Sequence, residues 1–281
     1  MFGLTHGILE SMGGGSKGVS GTSYASGGVI TYIDNDAIHT FNASSNLIVH
    51  NSIDISILLV GGGGGSGLAR AVGSKSPESA GAGGGFVLIS SLSLSPDTYP
   101  VVIGNGGLKG AYATPYVDSS WNGKKGGTST FYTLSASGGY GSIWRGTDDN
   151  PSDGATSARG YIGGAPNYYN NGAAGGGGGD SSVGKGAGSD MGGLGGEGTH
   201  SSISGIDIGY GGGGGGAASH SHTMASGKDG GGSGGTLYTD VQGLDASANT
   251  GGGAGGVTCL DSTTDGNNGA DGVVIIRYKY K

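Results

Sequence analysis

Between residues 46 and 60, apolar and polar side chains alternate with a clear period of two. Leu47, Val49, Ile53, Ile55, Ile57 and Leu59 fall on one side of the alternation, with Ser52, Asp54 and Ser56 between them. This pattern predicts a half-buried strand, and the wholly apolar Leu58-Leu59-Val60 at its end predicts entry into a core. The same reasoning gives a strand over residues 29–33, a turn at Asp34-Asn35-Asp36 and a returning strand over 38–41. Further strands are expected at 86–89, around Leu92 and Leu94, and at 99–103, 128–134 and 273–278. No segment carries a capped pattern of 3.6-residue period, so helix content should be very low.

Composition changes the picture of what separates these strands. Glycine supplies 72 of the 281 residues, against about 7% in average usage. That much glycine ordinarily signals disorder, but disorder usually brings high net charge, and 13 basic against 20 acidic groups leave only −7. Collagen is excluded, because neither a strict every-third glycine nor abundant proline is present. No apolar run approaches the roughly 18 residues of a membrane helix, and residues 1–7 lack the basic start and long apolar core of a secretory leader. The acidic balance argues against a nucleic-acid partner. Cys259 is the single cysteine, so no internal disulfide is possible.

The glycines come in blocks, at 61–65, 175–179, 192–193, 195–196, 211–216, 230–232 and 251–253. About 140 residues between the strands at 128–134 and 273–278 are dominated by such blocks, too long for a structureless loop in a compact domain. Consecutive glycines make poor strands and worse α-helices. What remains is the extended left-handed helix of three residues per turn, whose N–H and C=O groups all point outward and need partners on neighbouring chains. A helix enclosed on every side must be glycine throughout, whereas one at the rim can carry a side chain on one face in three, as in Gly192-Gly193-Leu194-Gly195-Gly196. The expected fold class is all-β with polyglycine II helices. Strands lie mainly in 29–134 and 273–279, a polyglycine bundle in about 135–272, and residues 1–28 form an attachment arm or a frayed terminus. A flexible Gly/Ser linker array is the competing reading.

Few residues suggest chemistry. Gly179-Asp180-Ser181-Ser182-Val183-Gly184-Lys185 has P-loop spacing, but Gly186 follows where Ser or Thr is required, and no strand precedes it. Residues 186–190 echo a single calcium-binding nonapeptide without its tandem copies. His220 and His222 share one side of an extended segment and are weak metal candidates. Asn42-Ala43-Ser44 is a formal glycosylation acceptor. No nucleophilic triad or carboxylate pair is legible, so no enzyme and no cofactor are expected. Binding residues are a different matter. Residues 111–124 carry Tyr112, Tyr116 and Trp121, and residues 140–171 carry Tyr140, Trp144, Arg145, Asp148, Asp149, Tyr161, Tyr168, Tyr169 and Asn170. Tyrosine, tryptophan, amides and carboxylates together suit recognition of sugars or protein loops; the same aromatics could instead cap the bundle and contact a neighbouring subunit.

The order of several blocks resembles glycine-rich proteins common in tailed bacteriophages. These are Ile38-His39-Thr40-Phe41, the strand 55–60 running into Gly61, Ala82-Gly83-Gly84-Gly85-Phe86-Val87, Tyr99-Pro100 through Gly107, residues 127–131, 201–216 and 272–278. The strand-plus-polyglycine pattern is similar to the glycine-rich domain of anaplastic lymphoma kinase receptors, and more distantly to the tip adhesins of T-even phages. The resemblance implies an antiparallel β-sandwich, jelly-roll-like in character, joined to the glycine bundle. It also implies a virion location in a tail fibre or appendage, and attachment to a host glycan or outer-membrane protein. Residues 1–28 would then hold other virion proteins, and a homotrimer is the stoichiometry that fibres often adopt. A purely structural connector or decoration protein is the alternative, and an ice-binding protein a remote one.

Overall fold

The alternating segments become two five-stranded antiparallel sheets that share one core. The computed structural model describes residues 24–70, 78–112, 118–144, 152–167, 172–219, 223–237, 239–259 and 263–280. In chain order the strands are β1 (Ala25–Ser26), β2 (Val29–Ile33), β3 (Asp36–Phe41), β4 (Ser45–Val49), β5 (Ile53–Val60), β6 (Ala69–Arg70), β7 (Val87–Leu94) and β8 (Asp97–Val102). After the single helical turn α1 (Asp118–Trp121) come β9 (Ser129–Phe131), β10 (Leu134–Ala136), β11 (Thr199–Ser201), β12 (Ile208–Tyr210), β13 (Thr263–Thr264) and β14 (Val273–Lys279). One sheet runs β1-β4-β8-β9-β10 and the other β2-β3-β14-β5-β7, while β11-β12 and β6-β13 are small pairs.

Burial follows the alternation. Leu47 and Val49 of β4, Tyr99 and Val101 of β8 and Phe131 of β9 meet Phe41, the odd-numbered isoleucines of β5, and Val274 and Ile276 of β14 in one cluster. The opposite face of the second sheet is covered as well: Ile38, Leu58, Val60, Val87, Val273 and Ile275 pack with Tyr210 of β12. This explains why β5 changes from alternating to wholly apolar. Its last residues are buried on both faces. His39 sits inside, its Nδ1–H donating to Gly27 O at 2.7 Å and its Nε2 lying 3.1 Å from the Tyr278 hydroxyl. Burial holds the imidazole below its ordinary pKa. Its neutral form therefore accepts at Nε2 from Tyr278.

Each glycine-rich connection leaves the sheets as an extended tract and returns as another. The tract 61–68 shows their hydrogen-bond rule. Gly61 and Gly64 donate to Phe86 O and Gly83 O, Gly62 and Gly65 to Gly127 O and Lys124 O, and Gly63 and Ser66 to Ala270 O and Asn267 O, all at 2.9–3.0 Å. Residues three apart serve the same neighbour, and consecutive residues serve three different ones. Its carbonyls accept from three more tracts, through Gly139 N at Gly62 O, Gly107 N at Gly63 O and Ala254 N at Gly64 O. A chain so enclosed has no room for side chains: a Cβ on Gly63 would lie 1.9 Å from Gly252 O. The tract 211–218 follows the same period, its donors rotating among Asp229, Gly232 and Gly235, then Gly196 and Gly193, then Ala82 and Ser79. At the surface, Leu194 is half-buried between exposed Met191 and Glu197, again three residues apart. The Ser129 hydroxyl ties sheets to tracts, donating to Val60 O at 2.6 Å and accepting from Gly104 N at 2.9 Å.

All-β architecture with almost no helix matches the expectation, but several boundaries shift. The single strand expected over 46–60 is two, β4 and β5, which residues 50–52 separate and which belong to different sheets, so that the apolar side chains of both face the shared core. Asp36 belongs to β3 instead of the preceding turn, because the Arg277 and Lys279 side chains of β14 pair with its carboxylate at 2.6 and 2.8 Å. Residues 128–134 are not one strand but the start of a hairpin, in which Tyr132 takes φ 51° between β9 and β10. Glycine tracts begin at residue 61, well before 135, since the connections between successive strands are themselves tracts. Residues 24–28 are no frayed end: β1 pairs with β4, and Ala25 is buried in the core. Residues 1–23 lie outside the described residues.

Candidate functional site

Three consecutive tracts, 103–112, 120–128 and 137–144, lie side by side on one face of the bundle. Lys124 N donates to Leu108 O at 2.8 Å and Gly127 N to Asn105 O at 2.7 Å; Gly123 N donates to Ser142 O at 3.0 Å and Gly126 N to Gly139 O at 2.9 Å. In the first tract Gly104, Gly107 and Gly110 are buried, while Asn105, Leu108, Lys109 and Tyr112 face out. The third tract repeats the pattern, with Gly139 and Ser142 inward and Tyr140 and Ile143 outward. The result is an exposed face bearing Leu108 (68% exposed), Ile143 (55%), Tyr140 (50%) and Tyr112 (40%).

At the end of this face remote from the sheets, aromatics from both sequence-predicted loops come together. The helical turn α1 delivers Trp121, whose ring stacks with Tyr112 at 6.0 Å and meets Trp144 edge-on at 4.3 Å. The Arg70 guanidinium lies 5.6 Å from the Trp121 ring. Asn122 fixes the third member through its side-chain oxygen, which accepts from Trp144 N at 2.7 Å. Trp121 itself is buried, so its role is to support Tyr112 and Trp144; a direct contact surface is not what this residue offers. Nearer the sheets, Lys125 Nζ sits 4.4 Å above the Tyr140 ring, a cation–π contact.

Tyr140 also borders a shallow groove of about 400 Å³ with Thr156, Ser157 and Arg159. Arg159 is held there by two of its nitrogens: Nε and Nη2 donate to the Asp180 carboxylate at 2.9 and 3.0 Å, and Nη2 also to Val87 O at 2.7 Å. Tyr161 stands apart from the cluster, on the turn after Arg159 that lies beside the start of β7. Tyr116, Arg145, Asp148, Asp149, Tyr168, Tyr169 and Asn170 lie outside the described residues, as do His220 and His222. Sequence reasoning missed Leu108, Lys109, Lys124, Lys125 and Ile143. Three-residue spacing was the available signal, since it places Lys109 with Tyr112 and Ile143 with Tyr140.

The flank of the face is a capping row. Asp265 Oδ1 accepts from Tyr112 N at 3.2 Å, Asn268 Oδ1 from Lys109 N at 3.1 Å and Asp271 Oδ1 from Gly106 N at 2.6 Å, and Asp265 also pairs with Lys109 Nζ at 3.2 Å. These side chains replace the neighbouring tract that an interior rod would have. The P-loop-like segment has no anion cradle to offer. Its Gly179, Asp180, Ser181, Gly184 and Lys185 amides all donate to backbone carbonyls, and the buried Asp180 carboxylate binds Val87 N, Arg159 and Thr199. Among the described residues, no group of three or more His, Cys, Asp or Glu is placed to hold a metal ion.

No curated protein matches the chain. A family profile described as a glycine-rich domain matches residues 40–279, a span that takes in β4 through β14 and every tract from 61 onward, while β1, β2 and most of β3 precede it. The protein therefore belongs to the glycine-rich domain family.

Proposed function

We propose that this chain is a non-enzymatic attachment protein of a virion tail fibre or appendage. In this reading the tracts are left-handed polyglycine helices that form a rigid scaffold, and the face built from residues 105–112, 122–125 and 140–144 contacts the host surface. The supporting observation is the exposure of Leu108, Tyr112, Tyr140 and Ile143 on rods whose backbone groups are tied to their neighbours. Rods without internal freedom hold their side chains in place before contact, so little entropy is lost on binding. The three-residue period of donors supports the helical assignment, because it is the period of the polyproline II geometry. The partners are a host glycan or outer-membrane protein on this face and other virion proteins elsewhere.

Purified protein incubated with bacterial envelopes tests the proposal. Retention that falls at least tenfold in a Tyr112→Ala/Tyr140→Ala variant of unchanged melting temperature supports it. Envelope binding indifferent to those changes would favour the structural connector instead.

A further inference from the structure

We propose that the ligand of this face is an anionic glycan, one whose sugars carry carboxylate or phosphate groups. The inference rests on the attachment reading above and specifies its chemistry. In a chain of net charge −7, the outward positions of these rods gather cations: Lys109, Lys124 and Lys125 are exposed along the face, and Arg70 lies against the aromatic cluster at its end. Of the other described cations, Lys185 and Lys228 stand on different tracts and three are bound within the fold. Arg159 is bound by Asp180, and Arg277 and Lys279 by Asp36.

The arrangement also has the second requirement of sugar recognition, flat apolar surface beside the charge. Lys125 Nζ stands 4.4 Å over the half-exposed Tyr140 ring, and Lys109 precedes Tyr112 by one turn of its tract. A pyranose laid on either ring brings an acidic substituent within reach of the adjacent ammonium group. Aromatic faces supply the contact area, and the charges supply selection and steering. A nucleic acid fits less well. Its charge recurs about every 1.7 Å of duplex, whereas Asp265 and Asp271 flank the few lysines here, and Asp265 pairs with Lys109.

The test is biolayer interferometry of the full chain against immobilised polysialic acid, teichoic acid and dextran at low and moderate salt. Retention on polysialic acid, teichoic acid or both, but not on dextran, with binding that falls as salt rises, is the expected result. Which acidic polymer binds separates a carboxylate from a phosphate ligand. A Lys124→Glu/Lys125→Glu variant with wild-type melting behaviour should bind at least tenfold more weakly. Dextran bound as well as the acidic polymers, or a double variant that binds unchanged, would overturn the anionic assignment. Equal binding to single-stranded DNA would overturn the glycan. Absence of binding to all three polymers also overturns it, while loss of envelope binding in the tyrosine variants would leave the attachment reading standing.

Discussion

Gly64 shows what a single residue contributes to the interior. A Cβ placed there would stand 2.1 Å from Tyr140 O, a backbone atom that cannot swing aside. Gly64→Ala should therefore lower stability by about 1–3 kcal/mol in urea melts, the range for overpacking a filled core. Gly188 is the control. Its nearest non-neighbouring atom, Met191 O, would be 3.9 Å from a new Cβ. Gly188→Ala should be neutral, or stabilising by roughly 0.5 kcal/mol through a stiffer unfolded chain. Glu78 is a different kind of interior residue, a carboxyl only 2% exposed among the tracts. Burial pushes it up to about 8, which its own backbone amide and the Ser219 hydroxyl oppose only in part. The native state thus holds the proton more tightly than the unfolded chain. Its contribution is complete below the ordinary carboxylate value and is lost as pH rises through about 8. A Glu78→Gln variant should flatten that decline in a series of melts from pH 5 to pH 9; a decline of wild-type steepness would assign it to other groups.

At the scale of elements, the hairpin β11–β12 is tied to the adjoining tracts by an exposed His200. Its Nδ1 lies 3.0 Å from Asp207 and its Nε2 3.2 Å from Asp229, which itself accepts from Gly198 N at 2.7 Å. The side-chain hydrogen bond to Asp207 and the charge of Asp229 raise the imidazole above its ordinary value. With a raised folded pKa, the clasp acts fully below the unfolded value and is lost as pH rises past the folded one. NMR titration should show the His200 ring losing its proton above 6.5, with hairpin amides exchanging faster at the same pH. Replacement by Ala should remove the pH dependence of that exchange. The glycine tracts make an exchange prediction of their own. Amides of 62–65 and 212–216 should be protected as well as those of β5 and β14, and free exchange there would refute the proposed rod scaffold. Strand content was legible from alternation, since period two leaves no other regular structure. The turn at Tyr132 was not legible, because a non-glycine residue at φ 51° has no signature in a Ser-Thr-Phe-Tyr-Thr-Leu run.

Across the whole molecule, tracts and sheets depend on each other. Ordering a residue's backbone costs about 1–2 kcal/mol, and a backbone hydrogen bond returns roughly 1 kcal/mol net. Glycine rods therefore come close to balance and draw their surplus from the apolar core between the sheets. The sheets in turn need the rods, because β14 reaches its partners β3 and β5 only after the last tract. Both tryptophans lie at the far end of the bundle, whereas the long strands lie in the sheets, which makes the coupling measurable. Tryptophan fluorescence and far-ultraviolet circular dichroism should give one coincident denaturation transition; two separated midpoints would make sheets and rods independent units. Pairing across more than 230 residues between β3 and β14 should also make refolding slow.

By itself the sequence determined where the long strands lie and, for β4, β5 and β8, which face is buried, because alternation of apolar residues admits one register of exposure. It also determined that the oligoglycine runs lie innermost, since only a residue without Cβ tolerates neighbours on every side. Which tract meets which was decided by the tertiary structure. Identical glycines carry no side-chain code for a partner, so adjacency is imposed by strand order and by caps such as Ser129, Asp180 and Asp265. The candidate face shares that origin: Tyr112, Trp121 and Trp144 come from three different tracts and meet because those tracts are hydrogen-bonded neighbours.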